Sequence, residues 1–130
     1  MLKGISSVIF DLGGVIYGVD YYKTINAFRA LGISHFEEVY AKAGQSDLFN
    51  ALEMGQISRT AFINQIKTLS SQDMKHSQIV SAWNAMLLGF MPDALACLNR
   101  LRSTYRLFLL SNTNEIHIQE IVKRVGIVFF

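Results

Sequence analysis

Two short polar segments, each directly after an apolar run, contain the residues of this sequence that could carry out chemistry. Asp11 follows the run VIF and precedes two glycines, Gly13 and Gly14. Ser111 and Asn112 follow the run RLFLL much further along the chain. A carboxylate held at the end of a strand can act as a nucleophile and form an acyl-phosphate, which divides one difficult hydrolysis into two easier steps. The pattern therefore points to phosphoryl transfer onto Asp11.

The neighbours of Asp11 suit that chemistry. Glycines allow backbone amides to approach phosphoryl oxygens and tolerate the unusual dihedral angles of a tight turn. The hydroxyl of Ser111 and the amides of Ser111 and Asn112 can hold a phosphate from the other side. Because the aspartate and the phosphate are both anionic, a hard cation such as Mg²⁺ is needed between them. We therefore expect Gly13, Gly14, Ser111 and Asn112 to bind phosphate beside Asp11, with Mg²⁺ as the cofactor.

Two strands must position these residues. The run at 7–10 is short and contains β-branched and aromatic residues, which favours a buried strand, and a similar run occupies 106–110. Ligands of open parallel sheets bind beyond the carboxyl ends of the strands. Asp11 follows one such end, and Ser111 with Asn112 follows the other. We predict that the sheet brings them together.

Most of the sequence between these strands repeats with a helical period. Apolar stripes stop at Gly32 and Gly55, a third begins after Ser58 as its N-cap, and a fourth covers 79–87. Short amphipathic helices bury such stripes against one another. We therefore predict a helical cap at 19–88, inserted between core segments at 1–18 and 89–130.

The second core segment completes a parallel crossover. Pro92 predicts the start of a helix before the strand at 106–110, another helix follows Asn112, and IVFF at 127–130 predicts a third strand. The predicted fold class is α/β, with an incomplete Rossmann-like parallel sheet as the core and a helical cap inserted after the first strand.

Composition narrows the function classes. The formal net charge is +2 without a Lys/Arg cluster, which argues against a nucleic-acid partner. No apolar run approaches the roughly 20 residues of a membrane span, and no cleavage pattern of a signal peptide is present. Cys97 is the single cysteine, which favours a small core residue over a disulfide or thiolate metal site. We expect a cytoplasmic protein without a membrane partner.

The quoted motifs resemble those of a known family. VIFDLGGVI and LFLLSNTN resemble the first and second motifs of the haloacid dehalogenase-like (HAD) hydrolase superfamily. Most of its members are Mg²⁺-dependent phosphatases that work through a phosphoaspartate. EMGQISRTAF and SAWNAML resemble the cap of its small sugar-phosphate phosphatases. The resemblance implies that Asp11 is the nucleophile and a Mg²⁺ ligand, that the Gly13 carbonyl is a second metal contact, and that a small phosphorylated substrate binds at Ser111 and Asn112.

The sequence also departs from that family. Gly13 stands where most of these phosphatases have a second aspartate as general acid and base, and Asp20 is the nearest spare carboxylate. The lysine of the third motif and the acidic pair of the fourth would lie beyond Phe130, so the resemblance implies a chain truncated at its C-terminus. An incomplete sheet exposes an apolar edge, which favours pairing with a second copy of the chain.

Two functions stay open at this point. One is a phosphatase, whose activity in a shortened chain is uncertain, and the other is a non-catalytic binding or assembly module derived from the same fold. A dinucleotide-binding fold is disfavoured because DLGGVIYG lacks the G-x-G-x-x-G spacing. His117, on the helix after the second motif, is expected to be a partly exposed residue outside the site.

Overall fold

The computed structural model describes residues 2–41 and 47–126, which form two compact units. The strand unit contains the residues up to Val19 together with Leu87–Asn112. The helical unit contains Asp20–Met86 together with the residues from Thr113 onward. In chain order the elements are β1 (Ser7–Phe10), β2 (Tyr17–Val19), α1 (Tyr21–Ala30), α2 (Phe36–Ala41), α3 (Asp47–Glu53), α4 (Arg59–Lys67), α5 (His76–Asn84), β3 (Leu87–Phe90), α6 (Ala94–Leu101), β4 (Arg106–Leu109) and α7 (Glu115–Val125).

A parallel pair of strands is the centre of the strand unit. β1 pairs with β4 in a register that runs from Ser7 opposite Arg106 to Phe10 opposite Leu109. Both strands lie where the apolar runs predict them, and the predicted α/β class is confirmed. The prediction that these strands are buried is wrong, because Ile9 is 65% and Phe108 53% exposed, and Leu110, directly after β4, is 72% exposed. Self-association through the sheet edge stays a prediction.

A second small sheet is present that the sequence pattern does not predict. β2 pairs antiparallel with β3, with Gly18 opposite Gly89. The prediction that Leu87 belongs to a helical stripe is wrong, because α5 ends at Asn84 and Leu87 begins β3. Strands of three and four residues, each containing a glycine, are too short to display a recognisable period.

Aromatic side chains form the core of the helical unit. The Trp83 ring lies 5.2 Å from the ring of Phe49 and 5.5 Å from that of Phe62, centroid to centroid. Phe28 stacks on Phe36 at 4.1 Å. All five rings are buried. Because each aromatic side chain can remove 150–250 Å² from water, this cluster is a large part of what stabilises the helical unit.

Helix ends agree with the predictions at some points and differ at others. Ser58 is the N-cap of α4, since its hydroxyl accepts a hydrogen bond from the Ala61 amide at 3.1 Å. The helix predicted from Pro92 begins only at Ala94, because Asp93 has a left-handed φ of 61°.

Cys97 is exposed, so its prediction as a core residue is wrong. The strand predicted at 127–130 lies outside the described residues.

The predicted boundaries at 1–18, 19–88 and 89–130 stay a prediction. α7 belongs to the second predicted core segment, yet it packs against α5 in the helical unit. Within residues 2–41 and 47–126, no helix has the length and apolarity that crossing a membrane requires.

A buried hydroxyl joins α1 to the end of α5. Thr24 Oγ1 donates toward the carbonyls of Ala82 and Trp83, at 2.9 and 3.0 Å, and accepts from the Met86 amide at 3.1 Å. Its side chain is almost fully buried. Removing the hydroxyl would leave these backbone groups without water to replace it.

We predict that Thr24→Val lowers the free energy of unfolding by about 1–3 kcal/mol, because the valine keeps the shape and loses the hydrogen bonds. Urea unfolding of the purified chain measures this. Thr24→Ser is the matched control, since it keeps the hydroxyl and should cost no more than about 1 kcal/mol for the lost methyl group. Equal stability of Thr24→Val and the unaltered chain would contradict the assignment.

Candidate functional site

The strand register brings Asp11 and Ser111 to the same edge of the sheet. Phe10 and Leu109 are the last paired residues, and the Leu110 amide donates to the Phe10 carbonyl at 2.8 Å. Asp11 therefore continues β1 beside Leu110, and Ser111 is the next residue along β4. Neighbouring strands lie about 4.8 Å apart, so both residues lie at the carboxyl end of the parallel pair, Ser111 one position beyond the residue that faces Asp11.

A tight turn after Asp11 is fixed by a shared acceptor. The Leu12 carbonyl accepts from the amides of Val15, Ile16 and Tyr17 at 3.3, 2.9 and 2.9 Å, and the Gly14 amide donates to the Tyr17 carbonyl at 2.8 Å. Gly14 has a φ of 74°, which glycine adopts without the steric cost that a side chain would add. The turn therefore needs a glycine at position 14.

Burial alternates along this turn. Leu12 and Ile16 are buried, whereas Asp11, Gly13 and Gly14 are exposed. The buried side chains of Leu12 and Ile16 thus anchor the loop, and the glycines between them expose their backbone. The arrangement suits a loop that holds a ligand through its backbone.

The Asp11 carboxylate is oriented by its own loop. Its Oδ1 accepts from the Leu12 amide at 2.7 Å, which is the short distance expected of a charge-assisted hydrogen bond. Among the described residues, no hydrogen bond to the Gly13 carbonyl is found. A carboxylate oxygen and a carbonyl oxygen, two residues apart, are consequently available at this turn.

These oxygen atoms are the type of ligand that Mg²⁺ prefers. Mg²⁺ prefers oxygen ligands and usually keeps several waters, binding through one or two carboxylates together with substrate phosphate. No group of three His, Cys, Asp or Glu side chains that could hold a metal occurs in the described part of the chain. The Asp11 carboxylate and the Gly13 carbonyl would therefore be ligands that this loop contributes, with water and phosphate completing the shell.

Ser111 and Asn112 lie between β4 and α7, in a segment that is neither helix nor strand. The Ser111 hydroxyl lies 3.5 Å from the Asn112 carbonyl, at the outer limit of a hydrogen bond, so it is only weakly held. Asn112 is exposed. The helix begins later, because Asn114 is its N-cap and accepts from the His117 amide at 3.0 Å. Neither Ser111 nor Asn112 is therefore the N-cap of α7.

Asp20 has a structural role in this fold. It is the N-cap of α1, and its Oδ1 accepts from the Tyr22 amide at 3.0 Å. Aspartate is among the best N-cap residues because it satisfies an amide that the helix leaves unpaired. The nearest spare carboxylate is thus a helix cap.

The prediction that His117 is partly exposed is wrong. Its side chain is only 8% exposed, and its ring stacks on Trp83 at a centroid distance of 4.8 Å and an angle of 14°. The Nδ1 atom lies 2.9 Å from Asn84 Oδ1. Burial lowers the pKa of the imidazole from 6.5 to about 4. The spacing of four to the apolar Ile121 was the available signal, since it puts both residues on one helix face.

Solved structures of HAD family enzymes have a fold similar to that of this chain. A crystal structure of a HAD family enzyme from Bacteroides thetaiotaomicron, in complex with magnesium and inorganic phosphate, aligns with a TM-score of 0.84 at 32% identity. It matches 92% of this chain and 59% of that one. A predicted HAD-like family hydrolase from Porphyromonas gingivalis aligns with a TM-score of 0.75 at 30% identity, over 88% of this chain and 55% of that one.

A particular relative is similar in sequence. The chain is 33% identical over 114 residues to D-ribitol-5-phosphate phosphatase from Bacteroides thetaiotaomicron, covering 85% of this chain and 53% of the relative. No protein-family model matches the chain. The chain is therefore a homologue of the HAD family hydrolases with their fold, as its motifs indicated, and it spans somewhat more than half the length of these relatives.

The buried imidazole predicts a pH dependence of stability. Unfolded histidine has a pKa of 6.5 and folded His117 has one of about 4, so the unfolded state binds the proton more tightly between these values. We expect full stability above about pH 6.5 and a progressive loss as the pH falls toward 4, amounting to about 3 kcal/mol.

Urea unfolding between pH 7.5 and 4.5 checks this prediction. His117→Phe is the comparison, because phenylalanine can keep the stack on Trp83 but cannot bind a proton. As the pH falls, the free energy of unfolding of the unaltered chain should decrease relative to that of His117→Phe. Parallel pH profiles for both proteins would show that His117 does not contribute.

Proposed function

We propose that this chain carries the nucleophile and the phosphate-binding loop of a Mg²⁺-dependent phosphatase that acts on small sugar or polyol phosphates. The observation that carries the proposal is the β1–β4 register, which sends Asp11 and Ser111 from adjacent strands at one sheet edge. The name of the D-ribitol-5-phosphate phosphatase relative, and the magnesium and phosphate in the structural relative, support the substrate class and the cofactor.

Asp11 is the nucleophile in this proposal. One carboxylate oxygen attacks phosphorus, a P–O bond to Asp11 forms, and the P–O bond to the sugar breaks, so that the sugar oxygen leaves and takes up a proton from water. Because Oδ1 is held by the Leu12 amide, the carboxylate is oriented before substrate arrives. Water then attacks the phosphoaspartate, which releases phosphate and restores Asp11.

The surrounding groups hold the phosphoryl oxygens. Exposed amides in the turn at Gly13 and Gly14, together with the weakly held Ser111 hydroxyl and the amide of Asn112, would donate to these oxygens as charge develops. Mg²⁺, when bound to the Asp11 carboxylate and the Gly13 carbonyl, would reduce the repulsion between carboxylate and phosphate. Gly13 has no side chain that could protonate the leaving oxygen, and Asp20 already caps α1.

We predict that Asp11→Asn lowers Mg²⁺-dependent phosphate release by about a thousandfold or more, because the amide is not a nucleophile. Release is measured with D-ribitol 5-phosphate and an aryl phosphate. Asp93→Asn is the matched control, since it makes the same change at another exposed aspartate, whose φ of 61° asparagine readily adopts. Equal loss in both variants, or release that persists in Asp11→Asn, would contradict the proposal.

We also predict that Mg²⁺ and phosphate bind cooperatively. By linkage, a cation shared between Asp11 and phosphate must strengthen binding of both by the same factor. Calorimetric titration of phosphate with and without Mg²⁺ measures that factor, which should exceed about fivefold and disappear in Asp11→Ala. Phosphate affinity that is indifferent to Mg²⁺ would favour the non-catalytic module instead.

A further inference from the structure

A cavity of about 470 Å³ lies within the helical unit, between α4, α5 and α7. Its volume falls in the range of pockets that bind small molecules. None of the residues assigned above to the nucleophile, phosphate loop or metal lines it. The proposed phosphatase site therefore does not account for this cavity.

Among the charged side chains that line the cavity, cations outnumber anions. Arg59 from α4 and both Lys123 and Arg124 from α7 line the cavity, against a single carboxylate, that of Glu120. Glu120 Oε1 accepts from Arg124 Nε at 2.8 Å, so the carboxylate is already matched by one cation. The Arg59 guanidinium donates to Gln119 Oε1 on α7, which holds it across the helix pair. The remaining positive charge favours an anionic ligand.

Two helix N-termini add to this preference. Arg59 and Thr60 are the first residues of α4, His76 and Ser77 are the first residues of α5, and all four line the cavity. The first turn of a helix presents amides without intrahelical acceptors and a partial positive charge. Both helices are nine residues long, so each has a developed dipole. The amides and the side chains thus favour the same sign of ligand charge.

A buried amide side chain supplies an independent indication. Asn84 lines the cavity and is only 4% exposed. Its Oδ1 is paired with His117 Nδ1, and among residues 2–41 and 47–126 no hydrogen bond is found for its Nδ2 group. Buried polar groups of this kind are nearly always hydrogen-bonded. A ligand rich in acceptor oxygens would satisfy this donor.

We infer that this cavity binds a small phosphate-bearing ligand, at a site distinct in its residues from Asp11 and its loop. Phosphate oxygens accept from guanidinium and ammonium groups, from first-turn amides and from the Asn84 amide. The serine and threonine hydroxyls of the wall, at Thr60, Ser77 and Ser81, can bond a hydroxylated remainder of the ligand. The inference does not depend on phosphatase activity, because it uses no residue of the proposed catalytic machinery.

Titration with inorganic phosphate, followed by ¹H–¹⁵N NMR in the presence of EDTA, tests the inference. Removing Mg²⁺ separates this site from the one at Asp11. We expect saturable shifts of the amides of Thr60, Ser77 and Ser81 that sodium chloride at equal ionic strength does not reproduce. Shifts that follow ionic strength alone would overturn the inference, as would saturable binding of citrate without binding of phosphate.

A pair of matched variants assigns the binding to the cavity. Ser77→Glu puts a carboxylate into the wall at an exposed first-turn position where acidic residues favour the helix, and it should weaken phosphate binding by about tenfold. Gln78→Glu adds the same charge at the next residue, which does not line the cavity and keeps its acceptor for the Lys75 amide. It should weaken binding by less than about threefold.

A second pair removes positive charge instead. Lys123→Gln should weaken binding by about tenfold, whereas Lys23→Gln, an equivalent change on the exposed surface of α1, should leave it within about twofold. Equal effects within either pair would show that phosphate senses only the net charge of the protein, and would overturn the inference.

Discussion

Parallel pairing of β1 with β4 is the constraint on which the candidate site depends. The two strands are separated by almost a hundred residues of sequence, and their parallel pairing brings the residues that follow them, Asp11 and Ser111, to one edge. The hydrogen bond from the Leu110 amide to the Phe10 carbonyl extends the pairing to the residues that precede the site.

The loop after β1 exposes groups that can bind a ligand at the end of the paired strands. Leu12 and Ile16 fix the turn from the inside, and the Leu12 carbonyl collects three amides that would otherwise be unpaired. What remains exposed is a carboxylate, a free carbonyl and glycine backbone. These are the groups that a phosphate and a hard cation require, and they depend on glycine at position 14, where φ is positive. A similar HAD family enzyme has been solved in complex with magnesium and inorganic phosphate.

The strands that precede the candidate site follow from the sequence because each is marked by a local signal. An apolar run that ends in Asp11 and a second one that ends in Ser111 identify both strands, and Ser58 identifies the start of α4. His117 could not be placed in this way, because its burial comes from a stack on Trp83, which is more than thirty residues away in sequence. Strands β2 and β3 are likewise defined by pairing with each other rather than by any period of their own.

The most direct test of the central claim is the NMR observation of cross-strand contacts at the site edge. If β1 and β4 are paired as described, nuclear Overhauser effects will connect backbone protons of Phe10 and Asp11 with those of Leu110 and Ser111, which lie within about 5 Å of one another. Their appearance would establish that the carboxylate and the hydroxyl share one edge. Contacts in a shifted register, or none between these residues in a folded chain, would contradict the account.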